Sequence, residues 1–204
     1  MAPLVGLLVG HSFFHGLHSH QSPHNQPSTG HSLARALHIH SIVQEFHLHG
    51  ERGARLCSPT FALPTHLLTR ARPDFVILDL GSNDIATGTP PFDVAAKLIQ
   101  ITDILISQYH VRCVVMCSIV NRQSHIAMPP DQFATAAYQL NHYLRNFAAT
   151  NNRAMYHVHK GFWNCPISSW SRDGIHPNTS AGRKKYLKSI RRAIFTALQT
   201  FTSQ

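Results

Sequence analysis

Acidic side chains are scarce in this chain. It carries nine Asp and Glu against 18 Lys and Arg in 204 residues, a formal net charge of +9. So few carboxylates leave little to complete a metal site, while the balance favours anionic partners such as nucleic acid. Long hydrophobic runs are missing too, so no segment reads as a bilayer span. The apolar start from Pro3 to Gly10 is short, with no Lys or Arg before it and no clean small-residue cleavage site after it. It is expected to be a first strand rather than a signal peptide. No C-x-x-C pair occurs among Cys57, Cys113, Cys117 and Cys165. Cys113 and Cys117 share one face of a strand-like run, and the four read as reduced, mostly buried thiols of an intracellular, cytoplasmic protein. No H-E-x-x-H occurs either, although there are 17 histidines, several in H-x-H pairs: His18/His20, His38/His40, His47/His49 and His157/His159. Such a pair on a strand points to one face and suits a metal. Without completing carboxylates, compositional bias is the better account, and no metal or organic cofactor is expected. A single aromatic, Tyr186, falls within the late basic cluster of Arg183, Lys184, Lys185, Lys188, Arg191 and Arg192. That cluster reads first as a solvated helix face and only second as a nucleic-acid site.

What is present points to one α/β domain over residues 1–204. Apolar residues make up 43% of the chain, enough for a sizeable core. Strand-like runs are expected at Leu4–Val9, Ile39–His47, Phe75–Leu80, Val111–Ser118 and Ala154–Val158. Helical patterns are expected at Ser32–Ala36, Thr60–Arg70, Phe92–Gln108, Pro130–Asn151 and Pro177–Leu198, the last with Pro177 at a helix-start position. A polar, His- and Pro-rich loop runs from about His18 to Gly30. Strand and helix alternating five times imply a parallel sheet with helices on both faces. No internal repeat and no linker is evident.

Three short words fall after strands, where ligands collect in such sheets. Gly10-His11-Ser12 follows the first strand and offers a hydroxyl at a strand-to-helix turn. By itself it also reads as a helix cap. Gly81-Ser82-Asn83-Asp84 follows the third strand and offers an amide as oxyanion donor, although all four residues are turn formers. Asp84 caps a helix or braces the loop. Asp173-Gly174-Ile175-His176 follows the fifth strand and offers a carboxylate that can orient an imidazole. A polar loop with a helix cap is its bland alternative.

Together, in this order and over nearly the whole chain, the words resemble the SGNH/GDSL family of serine esterases and lipases. The resemblance implies a flavodoxin-like three-layer fold with a five-stranded parallel sheet in the order 2-1-3-4-5. It implies a Ser12 nucleophile, a His176 base and an Asp173 acid. The oxyanion hole would combine the backbone N–H groups of Ser12 and Gly53 with the Asn83 amide, Gly50 being the alternative to Gly53. The expected reaction is hydrolysis of a carboxylic ester through an acyl-enzyme, on a small-molecule, lipid or carbohydrate ester. The chain departs from the family at His11, where Asp is usual. Asp79, near the end of the third strand, is expected to reach His11 and replace the bracing role of that aspartate. A partly exposed His11 with no role is the alternative. A second class remains open: a catalytically weak module of this fold that binds nucleic acid or another acidic partner. Gly-His-Ser and the Ser-Ile-Arg-Arg-Ala-Ile ending also resemble esterase-like segments of some animal mobile elements.

Overall fold

The computed structural model describes residues 4–10, 34–35, 37–122, 128–162, 165–178 and 181–202. Five strands form one parallel sheet: β1 (Leu4–Gly10), β2 (Val43–Gly50), β3 (Phe75–Asp79), β4 (Cys113–Cys117) and β5 (Ala154–His157). Their order across the sheet is β2-β1-β3-β4-β5. The helices are α1 (Thr65–Ala71), α2 (Ser82–Ala86), α3 (Pro91–Ser107), α4 (Pro130–Thr150) and α5 (Ala181–Thr202), with a 3₁₀ turn at Ile167–Ser169.

The inner strands are apolar at every position except Asp79, the last residue of β3, because both sheet faces are covered. Alternate residues then separate into two cores. On one face Leu8, Phe75, Ile77, Val115 and Cys117 pack against Tyr186, Ile190, Ile194 and Ala197 of α5. On the other, Leu7, Val76, Leu78, Val114 and Met116 meet α3 and α4. Those two helices present Val94, Leu98, Ile101 and Leu105, and Phe133, Ala137, Leu140 and Leu144, at the three- and four-residue spacing of an apolar stripe. The register sets Gly10 beside both Gly50 and Asp79, and Cys117 beside His157. The carboxyl ends of all five strands therefore lie along one edge.

Three element starts differ from the sequence expectation by four residues or more. β2 begins at Val43 rather than Ile39, because the Ile39 carbonyl accepts from the N–H groups of both Ile42 and Val43 and closes a turn there. Helix α1 begins at Thr65 rather than Thr60: the Pro64 carbonyl accepts from Leu67 and Leu68, so the helix is built forward from that proline. It ends, as Pro73 requires, with Arg72 in a left-handed conformation at φ 46°. Helix α5 begins at Ala181, not Pro177, because Pro177 forms an antiparallel bridge with Trp170. Asn178 then caps the helix: its Oδ1 accepts from Gly182 N–H at 2.9 Å.

Candidate active site

The loop between Trp170 and Pro177 carries Asp173 and His176. The bridge between its two ends and a bond from Ser171 N–H to the His176 carbonyl (2.7 Å) close it. Within it the Asp173 Oδ1 accepts from the N–H groups of Ile175 (2.8 Å) and His176 (3.0 Å). Its other oxygen lies 2.5 Å from His176 Nδ1. Partial burial pushes the Asp173 carboxyl up, but the backbone and ring hydrogen bonds from His176 and the Ile175 N–H outweigh it, and its pKa falls below the ordinary value. The carboxylate form is thus favoured beside the imidazole. With Nδ1 held this way, Nε2 is the nitrogen placed to exchange a proton. Gly182, at the start of α5, sits against this loop. A Cβ there would lie 2.0 Å from the Ser169 carbonyl, so the helix and the 3₁₀ turn can approach only through glycine.

The loop after β3 turns sharply at Gly81, whose φ of 101° suits glycine and is strained for other residues. Ser82 to Ala86 then form one short helical turn, α2. Asp84, fully buried, does not cap that turn. Its two oxygens accept from the N–H groups of Leu56 (3.0 Å) and Cys57 (2.9 Å), bracing the loop after β2. Asn83 joins the same two loops, its Nδ2 donating to the Ala54 carbonyl at 3.0 Å. Gly53, one residue earlier, has a left-handed φ of 67°, whereas Gly50 is still paired in the sheet.

Arg122 completes this corner. Its Nη2 donates to Asn83 Oδ1 at 2.6 Å and its Nε to Ser82 Oγ at 2.9 Å. Burial lowers its pKa from 12.5 to about 10, and the Asp173 carboxylate pulls the other way. That opposing pull links the Asn83 corner to the Asp173–His176 loop.

Beneath the edge lies a buried polar cluster. Tyr186 donates its hydroxyl proton to Asp79 Oδ2, and His159 Nε2 stands 3.3 Å from the same oxygen. Ser189 Oγ bridges His157 Nε2 (3.0 Å) and His159 Nδ1 (2.8 Å). A hydroxyl has one proton, so it donates to one ring and accepts from the other. Asp79, Cys117 and His159 bring metal-type donor atoms within 4.8 Å of one another. Burial first, and then the Asp79 charge, drives the Cys117 pKa well above its ordinary value, which keeps it a thiol within a hydrogen-bonded core.

A family model of the GDSL-like lipase/acylhydrolase family matches residues 8–184. The chain belongs to that family. It is a hydrolase acting on ester bonds. Solved structures with the same fold include a psychrotrophic esterase, EstA, from Pseudoalteromonas sp., at 14% identity over 98% of this chain and 99% of that one, TM-score 0.65. An acetyl xylan esterase matches at 16% identity over 94% of this chain and 100% of its own, TM-score 0.65. TesA matches at 17% identity over 93% and 97%, TM-score 0.66. A comparison with curated proteins gives no match.

Among the residues that the sequence marks in this GDSL-like hydrolase, Asp173 and His176 are in contact, and Asn83 and the Gly53 loop are stitched together. Ser12 and His11 lie outside the described residues, as does the expected Asp79–His11 contact. The described partners of Asp79 include Tyr186 and His159. Sequence reasoning missed Arg122 and left Asp84 undecided. Arg122 stands alone in the loop after β4, outside any of the three words. Only its place beyond a strand's carboxyl end hints at a role.

Proposed function

We propose that Ser12, two residues past the end of β1, is the nucleophile of a carboxylic-ester hydrolase. His176 takes the serine proton and later delivers one to the leaving alcohol. Asp173 orients the imidazole and stabilises its cation. The Asn83 amide and the N–H groups of Gly53 and Ser12 would stabilise the oxyanion. Water then attacks the acyl-enzyme, with His176 again as base, and releases the acid. The observation that carries this reading is the Asp173–His176 pair at 2.5 Å, on the same sheet edge as an amide held in one orientation. The absence of an obvious lid in the sequence favours small acyl groups. The four free cysteines favour an intracellular, reducing compartment. No helix among the described residues is long and apolar enough to cross a membrane.

A fluorophosphonate probe tests the nucleophile. Labelling of the parent protein but not of Ser12→Ala is expected. No labelling, joined to no turnover of short p-nitrophenyl esters, would falsify the proposal. Asn83→Ala should lower turnover by about a hundredfold or more.

A second reading rests on α5, whose 22 residues include six cations and no anion. Lys184, Lys188, Arg191 and Arg192 are exposed along it. Salt-sensitive binding of DNA or RNA would support an acidic-partner role for this face of the hydrolase, and no binding at low salt would remove it.

A further inference from the structure

We infer that Arg122 is a positioning residue, which fixes the Asn83 amide in its donating orientation and strengthens its remaining N–H. The inference rests on the reading of Asn83 as an oxyanion donor.

An asparagine amide is nearly symmetric in shape and opposite in chemistry at its two ends. Rotated by half a turn, it would present an oxygen where a negative charge develops. That orientation would repel the transition state instead of stabilising it. Something must therefore set the amide, and the two groups that meet it admit one answer. Arginine can only donate, so Asn83 Oδ1 must face Arg122 Nη2, 2.6 Å away. A carbonyl can only accept, so Nδ2 must face the Ala54 oxygen, 3.0 Å away. Of the two Nδ2 hydrogens, the Ala54 carbonyl takes one. The second is the hydrogen available to an oxyanion.

The charge matters as well as the geometry. A cation bonded to the amide oxygen draws electron density from the nitrogen and makes its hydrogens better donors. This acts in a nearly dry setting: Arg122 is 6% exposed. Burying a guanidinium is costly unless its hydrogen bonds are met, and the surroundings of Arg122 are built to hold it. Ser82 Oγ accepts from Nε at 2.9 Å, and the guanidinium carbon stands 5.6 Å from the centre of the Phe133 ring. The strand exit leading to Arg122 is clamped by Asn141. Its Oδ1 accepts from Ile119 N–H (2.7 Å) and its Nδ2 donates to the Ile119 carbonyl (3.1 Å). The α4 helix thereby holds the β4 exit, that exit holds Arg122, and Arg122 holds Asn83.

The test is a double-mutant cycle on a short p-nitrophenyl ester, measuring kcat and KM for the parent, Arg122→Met, Arg122→Lys, Asn83→Ala and the Asn83→Ala/Arg122→Met pair. Arg122→Met should lower kcat by about 10- to 100-fold with KM changed less than about threefold. Arg122→Lys should restore only part of the loss, because one ammonium cannot make both bonds of the planar fork. In the Asn83→Ala background the Arg122→Met change should cost less than about twofold, since its target is gone. Should Arg122→Met unfold the chain, the same cycle is run with Arg122→Lys. An equal loss of kcat in both backgrounds would show that Arg122 acts through general folding and would overturn the inference. So would an Arg122→Met kcat within about twofold of the parent while Asn83→Ala is severe. If Asn83→Ala itself leaves kcat unchanged, the oxyanion reading beneath the inference is what fails.

Discussion

Asp84 shows how one side chain can hold two loops. Its carboxylate takes the N–H groups of Leu56 and Cys57, which no neighbouring strand satisfies, and so fixes the segment that follows Gly53. Asp84→Ala strands both donors and should destabilise the fold by about 2–4 kcal/mol. Asp84→Asn keeps one acceptor and should lose less. Urea unfolding of the two variants at an unchanged m-value measures the difference, and equal stabilities would contradict this role. His157 makes a prediction in pH. Burial first, then the neighbouring His159, lowers its pKa from 6.5 to about 4. Between those values the unfolded chain binds a proton that the folded chain does not. Stability is therefore full above pH 6.5 and is lost as pH falls towards 4, by roughly 3 kcal/mol for this group. His157→Gln should flatten that part of a Tm-against-pH curve. A slope unchanged by the substitution would assign it to other groups. The chemistry of Asn83, Asp173 and His176 was legible in the sequence because each belongs to a short local word. Arg122 was not, because its hydrogen-bond partners Asn83 and Ser82 lie 39 and 40 positions away. Asp84 was visible as a brace or a cap, and only the distant N–H groups of Leu56 and Cys57 decide between them.

Periodicity identified the bodies of the five strands and of α1, α3, α4 and α5, because burial on two faces, one face or one stripe writes itself into the order of apolar residues. Helix α2 was not expected, and the helix expected at Ser32–Ala36 lies largely outside the described residues. The ends were less legible, because tertiary contacts set them. Pro177 suits a helix start, yet its bridge to Trp170 keeps it outside α5, and Asn178 caps the helix further on. The start of α5 also runs against its own dipole. Arg183, Lys184 and Lys185 gather at the end where anions are favoured, and no acidic residue lies in the first turn. Lys185 is occupied, its Nζ donating to the Gly161 carbonyl at 2.6 Å, but Lys184 is exposed. Lys184→Glu should stabilise the fold by about 0.3–1 kcal/mol at low salt, read from thermal unfolding, and a loss of stability would show that the lysine serves the fold. Gly182→Ala should act in the opposite direction. Its methyl carbon would meet the Ser169 carbonyl, forcing the helix away from the turn that leads into the Asp173–His176 loop. A loss of about 1–3 kcal/mol, with lowered ester turnover, is expected. Full stability and activity would mean that the contact relaxes freely.

The parallel sheet was legible at the scale of the whole molecule because strand–helix alternation permits few other arrangements, whereas its order, β2-β1-β3-β4-β5, was expected from the resemblance to the family. The place of the candidate site was expected from the same alternation: the words after strands three and five come to one edge, and the word after strand one is described only as far as Gly10. Charge is the other property of the whole. Cations outnumber anions two to one, at 18 against nine, and two of the anions, Asp79 and Asp84, are buried in hydrogen bonds. The outer surface is thus more cationic than the net charge alone conveys, and its self-repulsion opposes the compact state. Screening should relieve it. Raising NaCl from about 0.01 M, where the screening length is about 30 Å, to about 0.15 M, where it is about 8 Å, should raise Tm by a few degrees. Most of the rise should come below about 0.2 M. That curvature separates screening from the steady increase given by excluded salts, which continues at high concentration. A Tm that falls with added salt would mean that attractive pairs outweigh the repulsion. Among the described residues, Arg112 with Asp74 at 3.6 Å is a surface pair of the kind that contributes little, so a fall is not expected.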